Sequence, residues 1–228
     1  MLPLLLGARV KTRRSVAAFF LAPHLLTLLT AGCAPEAPSL RVAPPPCDER
    51  MVHLGSFCID RHEAVILRGR AQPATSELPS SGISYVDADR ACRAAGYRLC
   101  TEDEWSRACE GVAPTRRLPY GDTWEPHRCN GSEWNDPLDL PLRPSGAFAD
   151  CVSPEGVHDL SGNVWEWTSG FDPSAMLREL RGGGAHNGES QSVCRPDDRF
   201  YLAPELDVGL VGFRCCAPAR DARARAQE

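Results

Sequence analysis

Cysteine constrains this chain more than any other residue type, since 11 of its 228 residues are cysteines. In an oxidising compartment this density predicts a fold held by disulfide bonds, which stabilise mainly by restricting the unfolded chain. A zinc site would favour pairs at Cys-x-x-Cys spacing, and the sequence contains none. Cys215 and Cys216 are adjacent and cannot both ligate one ion with normal geometry. What the cysteines do therefore depends on where the chain resides.

The first 32 residues have the pattern of an export signal. Basic residues at positions 9, 11, 13 and 14 precede an apolar run at 16–30. This run is shorter than the roughly 20 residues that span a bilayer, which favours a cleaved signal over a retained anchor. The segment from Leu29 to Cys33 is similar to a lipobox, which predicts that Cys33 carries a diacylglyceryl group. An ordinary signal peptide cleaved at a small residue is the alternative.

Composition divides the rest of the chain into three parts after the signal at 1–32. Residues 33–46 hold five prolines and little that packs, so they are predicted to form a lipidated, extended tether. Residues 47–216 are predicted to be one domain, and the charged, alanine-rich residues 217–228 a frayed tail. Without the signal, 21 basic and 30 acidic residues remain, a formal charge of −9. This charge argues against nucleic acid as a partner.

Two helices are indicated by the residues at their ends. Ser84 can cap a helix start, and Gly96 suits the left-handed residue that ends a helix, so a helix is predicted between them. Thr101 and Glu104 form a capping box for a second helix, which is predicted to end at Gly111. Beyond that residue the chain is dense in Gly, Pro, Asp and Asn. We therefore expect long structured loops with a few short strands.

Five strings of residues in the domain occur in an order that is typical of one known family. They are Arg98–Trp105, Pro119–Asp122, Gly156–Trp167, Arg181–Gly184 and Gly212–Cys215. On these strings the chain resembles the formylglycine-generating enzymes, also called the sulfatase-modifying factor family. The resemblance runs from residue 47 to residue 216 and is most specific over 159–167. It implies an irregular, loop-rich α+β fold related to C-type lectins.

Ten cysteines remain beside Cys33, an even number that predicts five disulfides. The resemblance implies two of them, which the family shares: Cys92–Cys215 and Cys109–Cys194. The pairing of the other six stays open. Closing a short loop costs little entropy. This favours the pairs Cys47–Cys58 and Cys129–Cys151, with Cys100–Cys216 left over.

The string at 159–167 also predicts an ion site. The resemblance assigns calcium to the carboxylates of Asp159 and Glu166 and to the backbone carbonyls of Gly162 and Val164. A hard cation prefers such oxygen ligands. The alternative is a β-strand whose two tryptophans face the core while Glu166 faces water. Both interpretations hold together if the tryptophans pack while the residues between them bind the ion.

The family enzymes oxidise a target cysteine to formylglycine with oxygen and copper(I), which two cysteine thiolates hold. At the matching positions this chain has Asn187 and Ser192, and Gly184 replaces a serine. We therefore expect neither copper binding nor formylglycine generation. Related sulfoxide synthases hold iron with histidines that come partly from a further helical domain. The histidines here show no paired ligand spacing, which argues against iron.

Two classes of function follow from the sequence. The favoured one is a non-catalytic domain, lipid-anchored at the periplasmic face of the outer membrane, whose former substrate groove binds a peptide, a glycan or a partner protein. Adjacent glycines let a backbone approach a ligand closely. The groove is therefore assigned to Arg181, Gly182, Gly183, Gly184 and His186. The other class is a metal-dependent oxidoreductase with ligands near His186.

Overall fold

The structure is a computed structural model that describes residues 46–112, 116–131, 141–195 and 200–220. These residues belong to one compact unit. They include no helix that is long and apolar enough to cross a membrane. The predicted signal at 1–32, Cys33 and the tether up to residue 45 lie outside the described residues.

Two helices and ten short strands make up the regular structure of the described residues. The helices are α1 (Tyr85–Ala95) and α2 (Glu102–Glu110). The strands are β1 (Met51–His53), β2 (Phe57–Asp60), β3 (Ala64–Leu67), β4 (Arg70–Pro73), β5 (Arg98–Leu99), β6 (Trp165–Asp172), β7 (Leu177–Arg181), β8 (Phe200–Leu202), β9 (Val211–Phe213) and β10 (Cys215–Pro218). They pair in the orders β1-β2-β10-β5, β3-β4 and β8-β7-β6-β9. Only the β6–β9 pair among them is parallel. The predicted loop-rich α+β class is confirmed.

Both predicted helices form, with the predicted ends. The Ser84 side chain accepts a hydrogen bond from the Asp87 amide at the start of α1, and Gly96 adopts a left-handed φ of 90° after its end. Thr101 and Glu104 make the reciprocal capping box at the start of α2. Each cap satisfies backbone groups that the helix itself leaves free. Local sequence therefore sufficed to place these two elements.

Five disulfides connect the elements, with the partners that the sequence favoured. They are Cys47–Cys58, Cys92–Cys215, Cys100–Cys216, Cys109–Cys194 and Cys129–Cys151. Successive side chains of a strand point to opposite faces. Adjacent Cys215 and Cys216 of β10 can therefore reach different partners, one on α1 and one just before α2. Native disulfides in small exported domains contribute about 2–4 kcal/mol each.

Buried apolar side chains form two clusters around the sheets. One cluster packs α1 against Trp167 and Phe213. The other surrounds Trp105 of α2 with Ile59 and Leu160. Burial of each large apolar side chain stabilises the fold by about 1.5–3 kcal/mol. Strand β6, which carries Trp167, thus lies in the interior and positions the residues of the candidate site.

The predicted boundary between domain and frayed tail at residue 216 is wrong. Strand β10 continues to Pro218, and Ala217 pairs with Cys58 of β2. Beyond it the Ala219 amide donates to the Ser56 carbonyl, and Ala219 is fully buried. The charge and alanine content of the tail predicted fraying, but they carry no information about strand pairing. The partner strand of Ala217 lies about 160 residues earlier in the chain. Residues 221–228 lie outside the described residues.

Candidate functional site

The string at 159–167 enters β6 through a loop with three left-handed residues. The φ angles are 57° at Asp159, 81° at Gly162 and 62° at Asn163. A Cβ atom on Gly162 would lie 2.3 Å from the Asn130 carbonyl oxygen, so only glycine fits there. The Asn163 side chain donates to Glu63 at 2.6 Å and accepts from the Asn130 side-chain Nδ2 at 2.8 Å. These hydrogen bonds offset the cost of the strained backbone.

Glu63, which the sequence analysis did not single out, holds this loop in place. It is fully buried, and its carboxylate accepts from the Asn163 side chain, the Ser145 hydroxyl (2.6 Å) and the Val164 amide (3.2 Å). Burial raises the pKa of Glu63 well above its usual range, and the charge of Asp159 raises it further. Its partners are 82 to 101 residues away in sequence. No local motif could therefore have marked it.

Glu166 is fully buried and forms a bidentate ion pair with fully buried Arg214. The guanidinium donates from Nε to Oε2 at 2.6 Å and from Nη2 to Oε1 at 2.5 Å. The Trp105 indole donates to Oε2 at 2.8 Å. The expected burial of Trp165 and Trp167 on β6 is confirmed. The interpretation in which Glu166 faces water is wrong, because α2 covers that face of the strand.

The buried cluster contains more negative than positive charge. Among the described residues, Glu63, Asp159 and Glu166 are buried carboxyl groups near one another, and the fully buried Arg214 pairs with one of them. Burial raises the pKa of Asp159 to about 6, although its carboxylate accepts from the Gly146 amide at 2.6 Å. A single guanidinium balances one carboxylate. Protons or a bound cation must therefore compensate the others.

An excess of buried carboxyl groups is compatible with the predicted calcium site. The carboxylates that face the ion would differ from the predicted ones. Arg214 already neutralises Glu166 in the bidentate ion pair, so we propose that Asp159 and Glu63 supply the negative charge for the ion. Within the described ranges no three His, Cys, Asp or Glu side chains converge on one ion position. The carbonyls of Gly162 and Val164 would complete the oxygen ligands, as the resemblance implies.

Calcium is expected to raise the melting temperature of the domain, and more strongly near pH 8 than near pH 5. A ligand that binds only the folded state stabilises it by about 2.7 kcal/mol at a hundred times its Kd. Because the folded-state pKa of Asp159 is raised to about 6, its stabilising contribution without calcium is present at low pH and is lost as pH rises through 6. Calcium offsets this loss at neutral pH, whereas protons displace it in acid.

Differential scanning fluorimetry in excess calcium and in chelator, at both pH values, measures this gain. Taking the difference at each pH removes calcium-independent titrations. Asp159→Asn should abolish the gain, whereas the exposed Asp207→Asn should retain it. Equal melting temperatures with calcium and with chelator near pH 8 would exclude the site.

Four of the five predicted groove residues, those at 181–184, are buried. Arg181 is 4% exposed, and the three glycines that follow it are also buried. A Cβ atom on Gly182 would lie 3.1 Å from the Trp105 ring, and one on Gly183 would lie 2.6 Å from the Ser192 hydroxyl. Neighbouring side chains occupy the space beside these glycines, and none of the three lines either of the two cavities described next.

Two adjoining cavities lie beside the loop 186–191. The polar cavity has a volume of about 670 Å³ and is lined by Trp124, His186, Asn187, Gly188, Glu189, Ser190 and Gln191. The apolar cavity, of about 570 Å³, is lined mainly by Trp165, Leu180, Phe200, Leu202, Val208, Leu210 and Val211. His186 and Asn187 line both cavities. Of the predicted groove residues, His186 is therefore the one placed at these cavities, and Trp124 was missed because it lies in a turn-rich segment without a motif.

Asn187 and Ser192, which stand at the positions of the family's copper ligands, form hydrogen bonds to residues of the loop itself. The Asn187 side chain accepts from the Gly184 amide at 2.7 Å and donates to Gln191 at 2.5 Å. The Ser192 hydroxyl donates to the Asn187 carbonyl at 3.4 Å. The nearby Cys194 is in a disulfide. Polar side chains that close the loop thus stand where the resemblance places thiolates.

Two histidines that are far apart in sequence meet in the fold. The rings of His62 and His158 stack with centroids 4.8 Å apart and planes inclined by 19°. Burial lowers the pKa of both imidazoles, that of His62 to about 4. Within the described residues, neither Nδ1 atom has a hydrogen-bond partner. Both rings are therefore expected to be neutral at physiological pH.

Comparison with known proteins identifies the family. A model described as the sulfatase-modifying factor enzyme 1-like domain matches residues 51–219. The chain belongs to this family. The match ends at residue 219, which agrees with the extension of β10 beyond residue 216.

Relatives of known name support this membership in the sulfatase-modifying factor family. The chain is 33% identical over 156 residues to the inactive Cα-formylglycine-generating enzyme 2 of Mus musculus, covering 63% of this chain and 50% of the relative. It is 34% identical over 169 residues to the formylglycine-generating enzyme of Thermomonospora curvata, covering 61% and 55%. The chain thus spans about half the length of these relatives.

A solved structure supports the fold within the family. The structure of PvdO from Pseudomonas aeruginosa superposes with a TM-score of 0.55 at 17% identity, covering 72% of this chain and 80% of that one. At this identity the likeness concerns the fold alone. The resemblance predicted from the five strings is confirmed for family and fold.

Proposed function

We propose that this protein is a non-catalytic member of the sulfatase-modifying factor family, anchored to a membrane of the cell envelope, that binds a ligand in the groove beside the loop 186–191. The observation that carries the proposal is the use of Asn187 and Ser192 as hydrogen-bonding residues within that loop. Amide and hydroxyl groups are hard donors, whereas copper(I) selects soft thiolates.

The surroundings of the loop support the same proposal. Cys194, the nearest remaining cysteine in sequence, is bonded to Cys109, so its thiolate is not available for a metal. The similar mouse protein is itself named as an inactive member of the family. The loop nevertheless borders two cavities, both large enough for a small ligand. Loss of the thiolates with retention of a groove favours binding without oxidation.

The anchoring part of the proposal comes from the sequence. The lipobox-like segment ending at Cys33 and the proline-rich residues after it would hold the domain close to the membrane surface. Ala34, and not aspartate, follows the acceptor, which favours the periplasmic face of the outer membrane. A calcium ion at the buried acidic cluster would stabilise the domain without taking part in chemistry.

The purified protein is expected to form no formylglycine when it is given copper(I), oxygen and a sulfatase-type cysteine peptide. The double variant Asn187→Cys with Ser192→Cys should gain copper(I) binding, since two soft ligands then stand in the loop. Its turnover should stay far below that of a family enzyme, because the supporting residues of the groove were not selected for the reaction. Mass spectrometry of the peptide and metal analysis of the protein provide the readouts.

The single variant Asn187→Cys is the matched control, because one thiolate supplies half of the ligand pair. It should bind copper(I) no better than the unmodified protein. Aldehyde in the peptide after incubation with the unmodified protein would overturn the non-catalytic proposal. A search for other ligands would then begin at His186.

A further inference from the structure

The chemistry of the polar cavity restricts its ligand. Its lining combines one indole, Trp124, and one imidazole, His186, with other hydrogen-bonding side chains that include Glu189, Ser190 and Gln191. Among the described residues that line it, none is Arg or an aliphatic side chain. The protein's one lysine, at position 11, lies in the predicted signal. The cavity thus offers an aromatic face and polar groups, with no guanidinium or ammonium for an anion.

Trp124 forms one wall of the polar cavity and packs beside the loop 186–191. A Cβ atom on Gly131 would lie 3.4 Å from the Trp124 ring and 3.1 Å from the Asn187 carbonyl. Absence of a side chain at Gly131 therefore lets the indole pack closely beside the loop 186–191. The Arg128 guanidinium stacks on the Tyr120 ring at 4.6 Å in the same segment. Trp124 is half-buried, so part of its ring surface is available at the cavity.

The loop 186–191 forms the other wall, and covalent and polar contacts restrain it. The loop 186–191 is followed by Cys194, which a disulfide joins to α2. The Glu189 carboxylate forms an ion pair with Arg117, whose guanidinium is not among the residues that line the cavity. Asn187 and Gln191 are hydrogen-bonded to each other. A cavity with two fixed walls loses little entropy when a ligand binds.

We propose that the polar cavity binds a neutral saccharide, with one sugar face on Trp124 and hydroxyl groups hydrogen-bonded to Ser190 and Gln191. Sugars present carbon-bound hydrogens on one face and many hydroxyls at the edge, which matches an indole beside donors and acceptors. An anionic ligand would find no guanidinium or ammonium among the described lining residues, and the nearby Arg117 is already paired with Glu189. A ligand with a large apolar group would suit the adjoining apolar cavity better. The assignment rests on the proposed non-catalytic function, because it places the ligand on the loop that closes the former copper position.

Isothermal titration with neutral oligosaccharides tests this assignment, using trimers of N-acetylglucosamine, cellotriose and maltotriose. At least one should bind with a Kd below about 10 mM, and Trp124→Ala should weaken it by about tenfold or more. Trp124→Phe should keep part of the affinity, because a smaller aromatic face remains. Phe171→Ala, at an exposed aromatic residue that lines neither cavity, is the matched control and should leave the affinity unchanged. Adding the sugar should change the tryptophan fluorescence of the native protein, and this change should be absent in Trp124→Ala.

Failure of this assignment is distinguishable from failure of the proposed function. If no neutral trimer binds, or if Trp124→Ala binds as well as the native protein, the saccharide assignment is overturned. Binding of a sulfated oligosaccharide or an apolar peptide in place of the neutral trimers overturns it too, yet leaves a non-catalytic binding domain. Formylglycine production overturns the proposed function, whatever the saccharide result.

Discussion

Arg214→Met is expected to cost about 3–5 kcal/mol of folding free energy, because it leaves the Glu166 carboxylate buried without its partner. Both side chains are fully buried, and the pair contributes two charge-assisted hydrogen bonds. The guanidinium also donates to the carbonyls of Asp60 and His158, so three segments lose a common donor. For a domain of this size the loss corresponds to a fall in melting temperature of roughly 6–20 °C. Thermal unfolding followed by circular dichroism measures it.

The pH dependence of this loss separates charge from packing. Without Arg214, a negative charge would stay buried without a partner, and acid would relieve this cost. The deficit should then shrink as pH falls from about 8 to about 5. An equal deficit at both pH values would indicate lost packing in place of an unpaired charge.

Two further variants serve as controls for the ion pair. Arg93→Met removes an exposed cation paired with Asp89 on α1, and its melting temperature should equal that of the native protein. The double variant Glu166→Leu with Arg214→Leu removes both charges together, and it should recover part of the loss. A native-like melting temperature for Arg214→Met alone would contradict the importance of the buried pair.

Cys33→Ala is expected to move the protein from the membrane fraction to the soluble periplasmic fraction, or to leave an unprocessed precursor. The attached acyl chains contribute about 0.8 kcal/mol for each buried methylene group, and two chains suffice for stable anchoring. Loss of the thiol removes the acceptor for both chains. Fractionation of cells followed by immunoblotting and intact mass measurement checks the location and the modification.

Ser39→Ala, in the predicted tether, is the matched control and should leave the protein in the membrane fraction. The folded domain should be unaffected by either change, because Cys33 is not among the ten cysteines in disulfides. A processed Cys33→Ala protein that stays in the membrane fraction would exclude the lipid anchor. The alternative of an ordinary signal peptide predicts a soluble native protein.

The sequence anticipated features that depend on nearby residues or on residue identity. Ser84 and Gly96 bounded α1, and Thr101 with Glu104 began α2, because a helix cap is formed by residues within one turn. Asn187 and Ser192 argued against a copper pair by identity alone. The five strings identified the family, which in turn supplied partners for Cys92 and Cys109.

Other features were beyond the sequence because their partners are distant along the chain. Glu166 was predicted as a calcium ligand, with a water-facing position as the alternative, yet α2 and Arg214 cover its side of β6. Ala217 looked like tail, yet it pairs with β2. Adjacent glycines after Arg181 suggested contact with a ligand, yet they make room for buried neighbours.

The helix ends and the absence of the copper-ligand thiolates were predictable from the residues, since each follows from short-range geometry or from the chemical nature of one side chain. The family was predictable from the five strings. The place of Glu63 in the acidic cluster and of Trp124 beside the loop 186–191 became visible in the folded chain alone. Folding brings these residues to partners dozens to about a hundred positions away, and burial of Glu63 beside other carboxyl groups raises its pKa. The local pattern of residues predicts neither the distance between two side chains that are far apart in sequence nor the exclusion of water around them.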